Sequence, residues 1–420
     1  MKTLFAIILT IACTQMSWAQ EKCGTMKRYY DRVAKDPSLA EKHKQIETFT
    51  ANWIRNSANK SSRVVITIPV VVHVIHAGEA VGTDANISDA QIYSQIDVLN
   101  LDFRRLNEDS LETNHPFWVN AADCEIEFCL AQQDEDGFPT DGIERIDGLS
   151  EFGSDVWSGP VFDSIVKPDT QWDPDSYLNI WTVDFDPNSD DSTTLGYATF
   201  PDEHGAANDG VVIGYLYFGT TGDVESPNDL GRTSTHEVGH YFNLFHIWGD
   251  DNCGDDQVAD TPPQEAEHGG CPTFPDNPNN SCGSDANGEM YMNYMDYSDD
   301  DCLVMFTFGQ SDRMYAAISG PRASLLNSVG CQAPTGINEN IKSLSVSLYP
   351  NPVSDVLAVK YNFNDVRFRV YNSLGVLISE GFQTNAASLK IDASKLSDGC
   401  YLLQLESEGS SIVKKFTVNK

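Results

Sequence analysis

Apolar positions along the chain keep two rhythms. From Val64 the run VVITIPVVVHVIHA is apolar and β-branched almost throughout and predicts a long strand, with Pro69 marking an edge or a bulge because proline gives no N–H to a ladder. Beyond it the period lengthens. Ile92, Ile96, Leu99 and Phe103 follow the capping box Ser88-Asp89-Ala90-Gln91 and predict an amphipathic helix. Shorter strands are predicted at 126–131, 177–185 and 211–218, and helices at 229–240 and 309–326. Strand, helix and further strands indicate a mixed α/β or α+β domain. Between the last two helices, residues 249–288 have no period and are rich in Gly, Pro, Asp and Asn; a loop so long binds something or is stapled. Past a Pro-, Gly- and Asn-bearing linker at 334–343, residues 344–420 alternate apolar and polar positions. Turns at Pro350-Asn351-Pro352, Ser373-Leu374-Gly375 and Asp398-Gly399 make this tail a small all-β sandwich.

The front of the chain reads differently. Lys2, an apolar run at 4–12 and Ser17-Trp18-Ala19 lay out a cleaved signal peptide over 1–19. No other stretch approaches about 18 consecutive apolar residues, so no transmembrane segment is expected in the mature protein, which is read as a monomer. Residues 20–63 are polar, with nine basic side chains between Lys27 and Arg63 inclusive, against an acidic remainder, and are read as a pro-region ahead of a catalytic domain at 64–333. With 27 Lys and Arg against 62 Asp and Glu the formal charge is -35, which excludes nucleic acid and anionic membrane as partners and suits basic peptides and calcium. Cys13 leaves with the signal. Nine of the 10 cysteines then meet an oxidising compartment, where an odd number leaves at least one thiol free.

The candidate chemistry lies in His236-Glu237-Val238-Gly239-His240-Tyr241-Phe242-Asn243-Leu244-Phe245-His246. On a helix His236 and His240 lie one turn apart on one face and can share a zinc ion, with Glu237 beside them as general base. His246 would be about 15 Å further along an unbroken helix, so the helix must stop. Asn243, tolerant of a left-handed backbone, supplies the stop and returns His246 to the ion. Three imidazoles leave the fourth position open, as in catalytic rather than structural zinc sites. Glu237 would pass the proton of an attacking water to the leaving amine.

This motif resembles that of the metzincin metalloproteases, which have Gly where Asn243 stands. Their Met-turn is matched by Tyr291-Met292-Asn293-Tyr294-Met295-Asp296-Tyr297, with Met295 as the floor beneath the metal and Tyr297 as a support for the oxyanion or the metal. NYMDY, the segment IEFCLAQQDEDGFPTDGIERI and the loop cysteines Cys253, Cys271, Cys282 and Cys302 narrow the resemblance to the bacterial branch of the pappalysin family, over residues 64–331. The fold implied is α+β: a two-lobed catalytic domain with a twisted mixed sheet, long helices and a loop-rich second lobe, then the β-sandwich. Spacing alone leaves three pairings of the loop cysteines; the resemblance implies Cys253 with Cys282 and Cys271 with Cys302. A four-cysteine zinc site competes, but close CxxC pairs are absent. The resemblance also implies that Asp301, directly before Cys302, selects Arg, or less readily Lys, after the scissile bond; Asp299 and Asp300 are read as a solvated turn. Cys23 is expected to hold the fourth zinc position in a latent form, with a disulfide to a leftover cysteine as the alternative, and self-cleavage before Arg63 fits the specificity. In GDDQVADT, Asp256, Asp260 and Thr261 are the best structural calcium ligands.

The tail blocks Leu348-Tyr349-Pro350-Asn351-Pro352, VYNSLG, GCYLLQL and IVKKFTVNK resemble the C-terminal sorting domain of the type IX secretion system. Its machinery is then a partner, and the protein is released or surface-attached after outer-membrane export. The functional expectation is a secreted zinc metalloendopeptidase acting on proteins or peptides. A zinc-containing but inactive binding or adhesive protein is the alternative from another class.

Overall fold

The computed structural model describes residues 22–57, 63–334, 346–361, 365–372, 375–384, 388–407 and 410–420, and divides into two compact units, 1–334 and 335–420. The expected leader at 1–19, most of the linker at 334–343, and Ser373 and Leu374 lie outside the described residues.

In the first unit the elements run α1 (Thr25–Lys35), α2 (Ser38–Ser57), β1 (Ile66–His76), α3 (Asp89–Phe103), β2 (Ile126–Leu130), β3 (Ile143–Asp147), α4 (Gly148–Phe152), α5 (Gly159–Thr170), β4 (Leu178–Val183), β5 (Gly196–Ala198), β6 (Val211–Gly214), α6 (Arg232–Tyr241) and α7 (Phe308–Ser319). The strands form one sheet in the order β2-β1-β4-β6-β5, with β3 also beside β1. All pairs are parallel except β5, which runs antiparallel to β6 and forms the edge. The edge or bulge suggested by Pro69 is not found. β1 lies inside the sheet, and its pairing with β4 starts at Val70, so at the proline only the β2 flank carries a partner.

One face of the sheet packs Val70, Val72 and Ile213 against Ile92 and Leu99 of α3, Val238 and Tyr241 of α6 and Met314 of α7. The other buries Trp157, Phe162, Trp181 and Tyr197 around α5. Only half of the capping box at α3 forms. Ser88 Oγ accepts from Gln91 N at 3.2 Å, but the Gln91 amide donates to the carbonyls of Tyr215 and Phe218 instead. The last helix ends at Ser319 rather than 326, because Pro321 cannot continue it, and a 3-10 turn follows at Ala323–Asn327. The strand predicted at 211–218 stops at Gly214 and gives way to another 3-10 turn.

Residues 249–288 form no helix or strand, and two bridges staple them, Cys253–Cys282 and Cys271–Cys302, the pairing the resemblance implies. Cys129 of β2 is joined to Cys331 at the end of the unit. Cys23 and Cys124 are buried free thiols. Helices α1 and α2, in the stretch read as a pro-region, have no counterpart in the apolar pattern, and α1 turns Thr25, Arg28 and Tyr29 inward rather than an aliphatic stripe. Among the described residues no helix is long and apolar enough to cross a membrane.

Among its described residues the second unit has seven strands: β7 (Val346–Tyr349), β8 (Val356–Tyr361), β9 (Val366–Asn372), β10 (Leu377–Gln383), β11 (Ser388–Asp392), β12 (Gly399–Ser407) and β13 (Ser410–Val418). They form two antiparallel sheets, β10-β9-β12-β13 and β11-β8-β7. Alternate residues such as Leu357, Val359, Val370, Leu403, Leu405 and Phe416 fill one shared core.

Candidate active site

Every residue of α6 is buried. Gly231, at φ +75, precedes it, and buried Asp300 accepts from Leu230 N and Arg232 N at 2.9 and 3.2 Å, capping its start with a carboxylate. The helix ends in a Schellman turn. Asn243 adopts φ +74, its N–H reaches His240 O at 2.9 Å, and Leu244 N reaches Gly239 O at 3.0 Å. The reversal carries His246 back to the helix: His240 Nε2 lies 3.1 Å from both His236 Nε2 and His246 Nε2.

The outer nitrogens decide what those contacts are. His236 Nδ1 lies 2.7 Å from Tyr294 O and His240 Nδ1 2.7 Å from Leu244 O. A carbonyl only accepts, so both rings carry their proton on Nδ1 and turn a bare Nε2 inward. His246 Nδ1 faces Asp250 Oδ1 at 2.5 Å, and its ring stacks on Trp248 at 4.4 Å. Bare nitrogens packed this closely repel unless a cation stands between them. Tetrahedral zinc, with bonds of about 2.0–2.1 Å, spaces its ligands about 3.3 Å apart, so the donor set fits that ion. Burial, then His246, pushes the His236 imidazole down to about 3, and burial pushes His240 down as well, keeping both neutral as ligands must be.

Met295, expected as the floor beneath the metal, lies against Gly239 of α6. A Cβ on Gly239 would fall 2.5 Å from Met295 Sδ, so the glycine inside the motif is a close-approach position, and Ile247 N donates to Met295 O at 3.2 Å. Glu237 is buried beside the rings. Burial pushes its carboxyl up to about 7. Gly196 on β5 leaves it room, since a Cβ there would meet Glu237 Cγ at 3.0 Å.

The start of the described chain lies across this centre. Leu195 N donates to Lys22 O at 2.7 Å and Gly24 N to Gly196 O at 2.9 Å, so the segment adds to the open edge of β5, and Cys23 bridges Gly196 in the parallel sense. The Cys23 Sγ and the three histidine nitrogens all lie within 4.8 Å of one another. Thr25 Oγ1 donates to Glu237 Oε2 at 2.9 Å, the Cys23 thiol stands 3.5 Å from the same oxygen, and Tyr297 Oη donates to Cys23 O at 3.4 Å. Burial, then Glu237, pushes the Cys23 thiol well up, an effect that a bound cation reverses.

Asp301, expected beside the cleavage site, has its side chain at the surface. The acidic group brought to a basic side chain is Asp299, 3.4 Å from Lys22 Nζ, which also donates to Asn228 Oδ1 at 3.3 Å. Asp256 and Thr261 lie together, with Thr261 Oγ1 2.9 Å from Asp256 Oδ2, and burial pushes the Asp256 carboxyl up to about 7. Asp260 turns away from them: its two oxygens accept from Thr307 Oγ1 and Gly309 N at 2.7 and 3.0 Å, at the start of α7, where a carboxylate is favoured.

Several contributors escape sequence reasoning. The carbonyls of Tyr294 and Leu244 carry no side-chain signal, and Lys22, Thr25 and Asp250 belong to no motif. Behind the Met-turn, buried Asp296 accepts from Gln264 Nε2, from the backbone N–H of His268 and Tyr297, and faces His268 Nδ1 at 2.7 Å. His268 Nε2 lies 2.9 Å from Asp276 and 3.2 Å from Glu289. With Asp296 and Asp276 overcoming its burial, this imidazole is raised to about 9.

Comparison with known proteins places this chain among metalloproteases. Residues 161–319 match the family described as pregnancy-associated plasma protein-A, and residues 347–419 match the secretion system C-terminal sorting domain. Mature mirolysin of Tannerella forsythia, solved with a cleaved peptide, is 42% identical, with a TM-score of 0.57 over 66% of this chain and 100% of its own. A mutant of promirolysin from the same organism is 39% identical, with a TM-score of 0.60 over 73% of this chain and 97% of its own. An extracellular metalloprotease of Arthroderma benhamiae is 30% identical over 317 residues, 74% of this chain and 95% of the fungal protein.

Proposed function

The chain belongs to the pappalysin family of metallopeptidases, and from that premise we propose an exported zinc endopeptidase that is held latent by its own pro-segment and cuts before basic residues. It is an extracellular metalloendopeptidase with a secretion-sorting tail, secreted or held at the cell surface. The finer reading assigns zinc to His236, His240 and His246. When bound there, zinc supplies a Lewis acid that polarises the scissile carbonyl and a positive charge that eases loss of a proton from water.

The residues do the rest. Glu237 takes the proton of the attacking water and returns it to the leaving amine. Tyr297, whose hydroxyl now donates to the Cys23 carbonyl, is assigned the same donation to the carbonyl oxygen of a substrate. The β5 edge, which Lys22 and Gly24 occupy, offers its N–H and C=O groups to an extended peptide. Preference for Arg or Lys after the scissile bond is assigned to Asp301 with Asp299, the latter supported by its contact with Lys22. Latency is assigned to Cys23, supported by its place with the three imidazoles and against Glu237. Calcium is assigned to Asp256 and Thr261.

The observation that carries this reading is the convergence of three Nε2 atoms, two of them bare, next to a buried glutamate. The test is hydrolysis of an Arg-containing peptide by the processed enzyme, with and without a chelator, alongside metal analysis and Glu237→Ala. Chelator-insensitive turnover, or purified protein without zinc, would overturn it.

A further inference from the structure

A second feature of the pro-segment points beyond latency. Arg28, on the first turn of α1, enters a slot made wholly of catalytic-domain residues. Its Nη2 lies 2.8 Å from Asp191 Oδ1, and its guanidinium carbon stands 3.6 Å over the Tyr197 ring. On its other side is Gly159, where a Cβ would fall 1.7 Å from Arg28 Nη1. Asp163 closes the slot. Its Oδ1 accepts from Tyr197 Oη at 2.8 Å and pairs with Lys167 Nζ at 2.9 Å. Asp191 is itself fixed by Gly159 N, which donates to Oδ2 at 2.8 Å.

Removal of residues 22–57 takes Arg28 from Asp191 and Arg32 from Asp163 and leaves, among the described residues, Lys167 as the cation paired with Asp163, a net negative charge that favours uptake of a new cation. The shape of the slot selects among cations. A flat ring on one face and a missing Cβ on the other suit a planar guanidinium better than a compact ammonium or a metal ion. Position links the slot to catalysis. Tyr197 follows Gly196 on β5 and points to the α5 side of the sheet, while Gly196 faces Glu237. A peptide added along β5 directs alternate side chains to the two sides of the sheet, so one of its residues near the metal points to the slot. Lys22, at Asp299, lies before Cys23 and Arg28 after it, so the slot sits across the metal from the pocket proposed for the residue after the scissile bond.

We propose that the Arg28 slot, once vacated, is a second specificity site that takes an arginine located up to about three residues before the scissile bond. The enzyme thus favours sequences with arginine on both sides of the cut. This rests on the peptidase reading above. The test uses the processed enzyme and peptides with a constant Arg after the cut and Arg, citrulline or Lys at each of the three preceding positions. At one position Arg should raise kcat/KM over citrulline about tenfold, with Lys intermediate. Asp191→Asn and Gly159→Ala should each reduce that ratio towards one. Binding of the same peptides to the Glu237→Gln variant should show the same order without turnover. Equal kcat/KM and equal binding for Arg and citrulline at all three positions overturn the slot, as does Lys matching Arg. Failure of every peptide to be cut by the wild-type enzyme instead overturns the peptidase reading, while the binding series still judges the slot.

Discussion

The two segments that meet at the histidines are built on opposite principles. Helix α6 is buried along its whole length between the sheet and the Met-turn, and its ligands are separated by a helical period. The segment that follows, 249–302, has hardly any regular structure; two disulfides and a hub of buried carboxylates around His268 hold it in place. The helix sets Val238 and Tyr241 into the apolar core, and its buried Arg232 and Thr235 are held by Asp102. The irregular segment depends on cross-links and charge pairs between residues far apart in the chain. The difference separates the proposed chemistry from its support: the helix carries Glu237, the proposed base, and the irregular segment supplies Met295, whose carbonyl accepts from Ile247 N next to His246.

Four measurements sharpen this division. Glu237→Gln, on the helix, should lower kcat about 10²- to 10⁴-fold while bound zinc and thermal midpoint stay near wild type; a parallel loss of metal would make it a structural residue. Cys271→Ser with Cys302→Ser, which opens a 31-residue separation, should lower stability by about 3–4 kcal/mol in urea titrations, through the loop segment alone. Unchanged stability would mean that the carboxylate hub suffices by itself.

The third concerns that hub. His268 is raised to about 9, against about 6.5 unfolded, so its contribution to stability is complete below pH 6.5 and is lost as pH rises through 9. The loss should be on the order of 2 kcal/mol, allowing for partial exposure, and His268→Gln should remove this slope from the pH profile. A wild-type profile as flat as that of the variant between pH 6 and 10 would refute it. The smallest effect is expected at the junction. Asn243→Val places a β-branched residue at φ +74 and should cost about 1–2 kcal/mol and weaken zinc binding, whereas Asn243→Gly should retain both. Equal zinc affinity in the two variants would show that the turn does not position His246.

The same division explains what the sequence displayed. The helix at the histidines, the break at Asn243 and the buried run after Val64 were legible because period and backbone chirality act within a few residues. The interior placement of β1 against the hint of Pro69, the three-residue β5 and the Gln91 amide diverted to Tyr215 and Phe218 depend on distant partners. So do the helices of the pro-region, whose inward side chains include Arg28, an unlikely core residue until Asp191 and Tyr197 surround it. Asp299 and Asp301 show the same limit at the scale of one turn, since two steps along it decide which carboxylate meets a lysine.

Pairing of Lys22–Gly24 with β5 also bears on the journey out of the cell. An unpaired strand margin invites any extended chain, including a neighbour of the same kind, and crowded export intermediates meet many such neighbours. The precursor travels with that margin already covered, and β5 offers only three residues for docking once it is bared. Maturation thus opens a place for one short visitor while leaving little on which a fibre could be seeded.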